Sequence, residues 1–145
     1  MNLNREFWRS KKVLITGNTG FKGIWLTKLL LHLNAEVIGY SINDNGSFFE
    51  KKKIINNNKF KQVYGDVRDI NFLKKIILKS KPRIIFHLAA KSLVFDSYIN
   101  PLETFTTNAI GTLNILDLTR KFSFINSIII ITSDKCYEPN KNRRY

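Results

Sequence analysis

Hydrophobic positions in this chain switch repeatedly between two rhythms. Residues 11–17, KKVLITG, make a short apolar run that closes on Gly17, the pattern of a strand buried on both faces. In the next segment, FKGIWLTKLLLHLN at 21–34, Ile24, Leu26, Leu29, Leu30 and Leu33 recur at helical spacing. A second strand is read at 35–41 (AEVIGYS) and a short third at 61–66 (KQVYGD). DINFLKKIILKS, 69–80, predicts an amphipathic helix with Asp69 as its N-cap. PRIIFHLAA, 82–90, reads as a fourth strand. Residues 101–122 then read as one long helix, with Pro101 in a first turn where the missing amide proton costs nothing. NSIIIITS, 126–133, is the fifth strand, and 43–60 is left as a loop with room for one helical turn.

Strands alternating with helices imply parallel strands joined by right-handed crossovers. The expected fold class is α/β, a doubly wound parallel sheet of the NAD(P)-binding Rossmann type, cut off after strand 5. Its expected strand order is 3-2-1-4-5. Ligands of such sheets lie at the carboxyl ends of the strands, at the switch point between strands 1 and 4. No internal repeat or low-complexity linker divides the chain, so residues 1–145 are read as one domain.

Composition narrows the partners. No run reaches the 18 or so apolar residues of a membrane helix, and the polar start MNLNREFWRSKK lacks the apolar core of a signal peptide. Cys136 is the only cysteine, which excludes an internal disulfide and suits a reducing cytoplasm. The formal net charge of +13 invites a nucleic-acid reading. The lysines are scattered, however, apart from Lys51–Lys53 and the tail around Lys141, Arg143 and Arg144, so solvated faces are the expectation. Neither nucleic acid nor membrane is expected as a partner.

Chemistry enters at TGNTGFKG, where Gly17, Gly20 and Gly23 open the first predicted helix as G-x-x-G-x-x-G. Gly17 permits the tight turn, Gly20 leaves room for a pyrophosphate at the helix N-terminus, and Gly23 lets helix and strand approach. Thr19, Phe21 and Lys22 fall in the same turn. Further along, Asp66 follows strand 3, where a carboxylate can accept from an adenine amino group, with Val67 beside it. Leu88, Ala89 and Ala90 end strand 4 with little bulk against a cofactor. An acid usually ends strand 2 to hold the adenosine ribose, but Ser41 stands there. No Arg or Lys follows before Lys51, which favours NAD over NADP. His87 is read as a strand residue satisfied locally rather than as a catalyst.

Taken together, FWRSKKVLITGNTGFKGIWL, GDVRD, HLAAKSLVFDSY, NPLETFTTNAIGTLNIL and TSDKCYE resemble the sugar-nucleotide 4,6-dehydratases. These belong to the extended branch of the short-chain dehydrogenase/reductases. TGFKG and DKCYE look most like the group acting on CDP-glucose. The resemblance runs along the whole chain but only along the N-terminal part of the family's length. It implies oxidation at C4 of the glucose, loss of water across C5 and C6, and return of hydride to C6, a lyase reaction with an internal redox cycle on NAD. It also implies that Ser133 bonds the 4-hydroxyl, Asp134 protonates the departing 6-hydroxyl, and Lys135 assists C5 deprotonation. Thr107 matches a threonine near the nicotinamide ribose, Asn108 a structural asparagine, and Ser92 a substrate-side serine. Lys91 departs from the glutamine usual in the CDP-glucose group.

The superfamily's tyrosine–lysine pair, Y-x-x-x-K, has one literal match, Tyr137 to Lys141. Pro139 lies between them and disfavours a helix through Tyr137 and Glu138, so the two need not share a face. The expectation is therefore an N-terminal NAD-binding part, inactive alone, whose partner is a homo-oligomeric copy or a separately encoded C-terminal half. Its fifth strand would be an exposed, isoleucine-rich edge. Another sugar-nucleotide dehydratase or epimerase, and a non-catalytic dinucleotide-binding remnant, remain as alternatives.

Overall fold

The computed structural model describes residues 4–42 and 57–133. Its element order is α1 (Arg5–Trp8), β1 (Lys12–Thr16), α2 (Phe21–His32), β2 (Glu36–Ser41), β3 (Phe60–Tyr64), α3 (Ile70–Ser80), β4 (Ile84–His87), α4 (Val94–Ile99), α5 (Pro101–Phe105), a π-helical turn (Thr106–Ile110), α6 (Gly111–Lys121) and β5 (Ser127–Ile130). The five strands form one parallel sheet in the order β3-β2-β1-β4-β5, the order expected of the doubly wound class.

Period-two alternation divides the strand side chains between two cores. Leu14, Ile38, Tyr40 and Ile85 point to one face, where they meet Leu73 and Ile77 of α3 and Ile115 and Leu118 of α6. Val13, Ile15, Val37 and Ile84 point to the other, against Leu30 of α2 and Ala35. Asp69 caps α3 as expected, its side chain accepting from the Phe72 N–H at 3.0 Å. That helix stops at Lys81, which adopts a left-handed conformation (φ 46°) just before Pro82.

Three features differ from the sequence reading. Residues 101–121 are not one regular helix, because a five-residue π-helical turn interrupts them at Thr106–Ile110. The Thr106 hydroxyl donates back to the carbonyls of Leu102 and Glu103, and the Thr112 hydroxyl to that of Asn108, so side chains compete with the regular ladder on both sides of the turn. Two short helices, α1 and α4, were not expected; α1 is fixed by Asn4, whose side chain accepts from the Phe7 N–H. The fourth strand ends at His87, three residues earlier than read, so Leu88–Ala90 follow the strand rather than lie in it. Among the described residues β5 pairs with β4, and Ile129 and Ile131 are exposed. Most of the loop read at 43–60 lies outside the described residues, as do Asp134, Lys135 and the Tyr137–Lys141 match.

Candidate dinucleotide site

The glycine turn is built from backbone contacts that side chains would destroy. Gly17 has φ +71° and donates its N–H to the Tyr40 carbonyl at 2.8 Å. A Cβ on Gly17 would stand 2.7 Å from the amide nitrogen of Ala89, so β1 and the end of β4 touch through their main chains. A Cβ on Gly23 would run into the Gly17 carbonyl. Gly20 is different. It is exposed, its nearest neighbour would be the Gly17 carbonyl at 3.4 Å, and as N-cap of α2 it offers no side chain to the first helical amides. Two glycines thus serve packing, and one leaves space in front of a helix N-terminus, where anions are favoured. Thr19 is half-buried, while Phe21 and Lys22 are exposed in the first turn of α2.

Asn18, which the sequence reading passed over, is fully buried inside this turn. Its Nδ2 donates to Gln62 Oε1 at 2.6 Å, and Gln62 Nε2 donates to Ser41 Oγ at 3.1 Å. The amide lies over Gly39, where any side chain would collide with it. Ser41, found where an acid usually ends strand 2, is thereby tied to β1 and β3. The missing acid at 41 and the glycine at 39 were the available signals; the pairing of 18 with 62 needs the fold.

The other predicted positions gather along the same carboxyl edge. Asp66 and Val67 form the turn after β3, with the Asp66 carbonyl accepting from the Tyr40 hydroxyl at 2.9 Å. Burial, with Asp69 and Asp66 nearby, pushes the Tyr40 phenol up, so it remains a donor. The Asp66 carboxylate is bound by Arg68, whose hydrogen bonds hold it below the usual carboxylate range. Leu88 and Ala89 donate to the Thr16 carbonyl and hydroxyl respectively, and Ala90 is exposed. Asn108 grips Lys91 on both sides: its Oδ1 accepts from the Lys91 N–H at 2.8 Å and its Nδ2 donates to the Lys91 carbonyl at 3.0 Å. Thr107, beside it in the π-helical turn, is half-buried, and Ser92 is exposed in the loop after β4. Ser133 is the last described residue, at the far end of the chain leaving β5.

His87 is structural, as expected. Nδ1 lies 2.6 Å from the Thr16 hydroxyl and Nε2 lies 2.9 Å from that of Thr112. The Thr112 proton goes to the Asn108 carbonyl, so Nε2–H donates to Thr112 and Nδ1 accepts from Thr16. Burial lowers its pKa to about 4, which keeps the ring neutral.

A parallel five-stranded sheet in this order, with a glycine turn between its first strand and first long helix, is a Rossmann-like fold of the short-chain dehydrogenase/reductase type. The family model described as GDP-mannose 4,6 dehydratase matches residues 14–141, and the chain belongs to that family. CDP-glucose 4,6-dehydratase of Salmonella typhimurium is 40% identical over 138 residues, which cover 94% of this chain and 38% of that protein. Among solved structures, an epimerase from Methanothermobacter thermautotrophicus is 28% identical with a TM-score of 0.79, matching 90% of this chain and 37% of its own. A UDP-glucose 4-epimerase from Brucella ovis in complex with NAD is 25% identical with a TM-score of 0.68, matching 83% of this chain and 35% of its own. The chain therefore spans well under half the length of the relatives it matches. Among the described residues no group of three or more His, Cys, Asp or Glu could hold a metal, and no helix is long and apolar enough to cross a membrane.

Proposed function

We propose that residues 1–145 supply the NAD-binding part of a CDP-glucose 4,6-dehydratase, which converts CDP-glucose to its 4-keto-6-deoxy product. The observation that carries this is the uncluttered Gly20 at the start of α2, in a chain 40% identical to the Salmonella enzyme of that name. The fit of NAD rests on chemistry present in the fold. Gly20 admits a pyrophosphate to the free amides of α2, Ala89 and Ala90 leave the crevice wall thin, and Asp66 and Val67 line the adenine end. By the family resemblance Thr107 would stand near the nicotinamide ribose. When bound, NAD supplies an acceptor and donor of hydride for an internal redox cycle.

The residues' own work is binding and proton transfer. Ser133 bonds the sugar's 4-hydroxyl, Asp134 protonates the departing 6-hydroxyl, and Lys135 assists removal of the C5 proton, for which its pKa must fall toward the working pH. Ser92 contacts the sugar. The working compartment is the cytoplasm, which the lone Cys136 suits. A second reading, a nucleotide-sugar epimerase, draws on the likeness to the Methanothermobacter and Brucella structures.

One assay separates these readings. The product of the full coding sequence that carries this chain is incubated with NAD and, in turn, CDP-glucose, UDP-glucose and GDP-mannose. Loss of one water from CDP-glucose alone is expected, and residues 1–145 by themselves are expected to release no 4-keto sugar. Epimerisation without loss of water supports the second reading; no reaction with any of the three sinks both.

A further inference from the structure

A cavity of about 400 Å³ opens at the amino edge of the sheet, the end opposite the glycine turn. Its walls are the first residues of β1, β2 and β3 and the last turn of α3. Strand register explains the hollow. Ile38 of β2 stands beside Lys61 of β3, and Val63 follows Lys61 on the same face of the sheet. Helix α3 covers that face mainly over β1, β2 and β4, through Leu73 and Ile77 against Leu14, Ile38, Tyr40 and Ile85. Toward β3 the cover is thinner, and Val63 and Ile76 are only half-buried. Ile38, Val63 and Ile76 therefore give the cavity an apolar floor.

The rim is basic. Lys12, Lys59, Lys61 and Lys79 all line the cavity, against one carboxylate, that of Glu36. Lys59 Nζ donates to Asn34 Oδ1 at 3.2 Å. Among the described residues Lys12, Lys61 and Lys79 make no ion pair or side-chain hydrogen bond, and Glu36 makes no ion pair. Single lysines at such places have ordinary explanations. Lys79, in the last turn of α3, complements the helix dipole, and Lys61 on an edge strand deters pairing with another sheet. Neither reason explains why four lysines from separate elements converge on one apolar hollow.

Like charges gathered over a low-dielectric wall focus a positive field, which a bound anion relieves. Lysine donates as a compact point charge, which suits a phosphate, and lacks the planar fork that grips a carboxylate. The volume falls within the range of small-molecule pockets, about 300–1,000 Å³, and exceeds what a lone phosphate ion would fill.

We propose that this amino-edge cavity binds an organic phosphate. Its flat, apolar body is seated on Ile38, Val63 and Ile76, and its phosphate is held by Lys61 and Lys79 with Lys12 behind them. The site lies at the other end of the strands from the dinucleotide crevice, and the proposal does not depend on NAD binding there.

Titration of residues 1–145 with naphthyl phosphate, naphthol and inorganic phosphate, followed by backbone amide NMR shifts, tests this. Naphthyl phosphate supplies both features, naphthol only the body and inorganic phosphate only the charge. The whole probe should bind saturably and at least about tenfold more tightly than either half. Its shifts should concentrate at Lys61, Val63, Lys79 and Ser80 and leave Gly17, Gly20 and Gly23 in place. Replacing both exposed lysines, Lys61→Gln with Lys79→Gln, should weaken naphthyl phosphate by about tenfold and leave naphthol unchanged. Lys61→Arg, which keeps the charge, should retain binding. Inorganic phosphate as tight as the whole probe would overturn the proposal, because only a basic surface would remain. Naphthol as tight as the whole probe would do the same, because the lysines would be idle. Wild-type affinity in the double variant, absence of saturable binding, or shifts confined to the glycine turn would each overturn it as well.

Discussion

Gly17 and Ala89 touch through their backbones: a Cβ on Gly17 would lie 2.7 Å from the Ala89 nitrogen and 2.8 Å from its Cα. The contact joins the first turn of the nucleotide site to the end of β4 across the switch point of the sheet. With φ at +71°, position 17 also penalises any side chain through its backbone. Gly17→Ala should therefore cost about 3 kcal/mol or more, as strain and overpacking add. Urea unfolding of the two proteins measures it; a change below about 1 kcal/mol would show that the turn yields easily.

His87 gives stability a pH dependence of known sign. Its folded pKa is depressed to about 4 by burial, below the ordinary value near 6.5. Between those values the unfolded chain binds a proton that the folded chain refuses, so stability falls as pH drops from about 6.5 toward 4. The full loss is roughly 3 kcal/mol. Asp66, whose folded pKa is lowered, adds its own loss only further down, as pH falls through the carboxylate range. Unfolding free energies at several pH values, for wild type and His87→Asn, check this: the variant should be less stable at neutral pH but flatter between pH 4 and 6.5.

Asn108 holds the loop after β4 by two bonds to Lys91. Asn108→Ala should destabilise the chain by about 2 kcal/mol, near 1 for each lost bond. Amide hydrogen exchange locates the effect. The Lys91 N–H should exchange at least tenfold faster, while the amides of β1 follow only the global change; uniform acceleration would mean that Asn108 matters to the whole fold rather than to this loop.

Much of the fold was legible because its strands are short apolar runs and its helices carry a 3.6-residue stripe, signals that survive in one sequence. Strand order followed from assigning the chain to the doubly wound Rossmann class, and the roles of Gly17 and Gly23 from their place between β1 and α2. The π-helical turn was not legible, because it depends on the Thr106 and Thr112 hydroxyls and on where Asn108 finds a partner. Asn18 and Arg68 were missed for a related reason. Their meaning lies in contacts with Gln62 and Asp66, and only the first of these spans the chain. GDVRD contained both members of the second, but spacing alone does not reveal that an arginine two residues on turns back to pair with an aspartate.

Gly20 offers the most direct test of the central claim, that this fold presents a helix N-terminus to a dinucleotide. Gly20 has φ −70° and ψ 166°, which any residue can adopt, and it occupies the N-cap of α2, where aspartate is a preferred cap. Gly20→Asp should hold or raise the melting temperature, yet place a carboxylate against the pyrophosphate. Calorimetric titration of NAD into wild type and Gly20→Asp should show saturable binding in the first and none in the second, with the variant at least as heat-stable. Equal binding in both, or none in the wild type, would contradict the account.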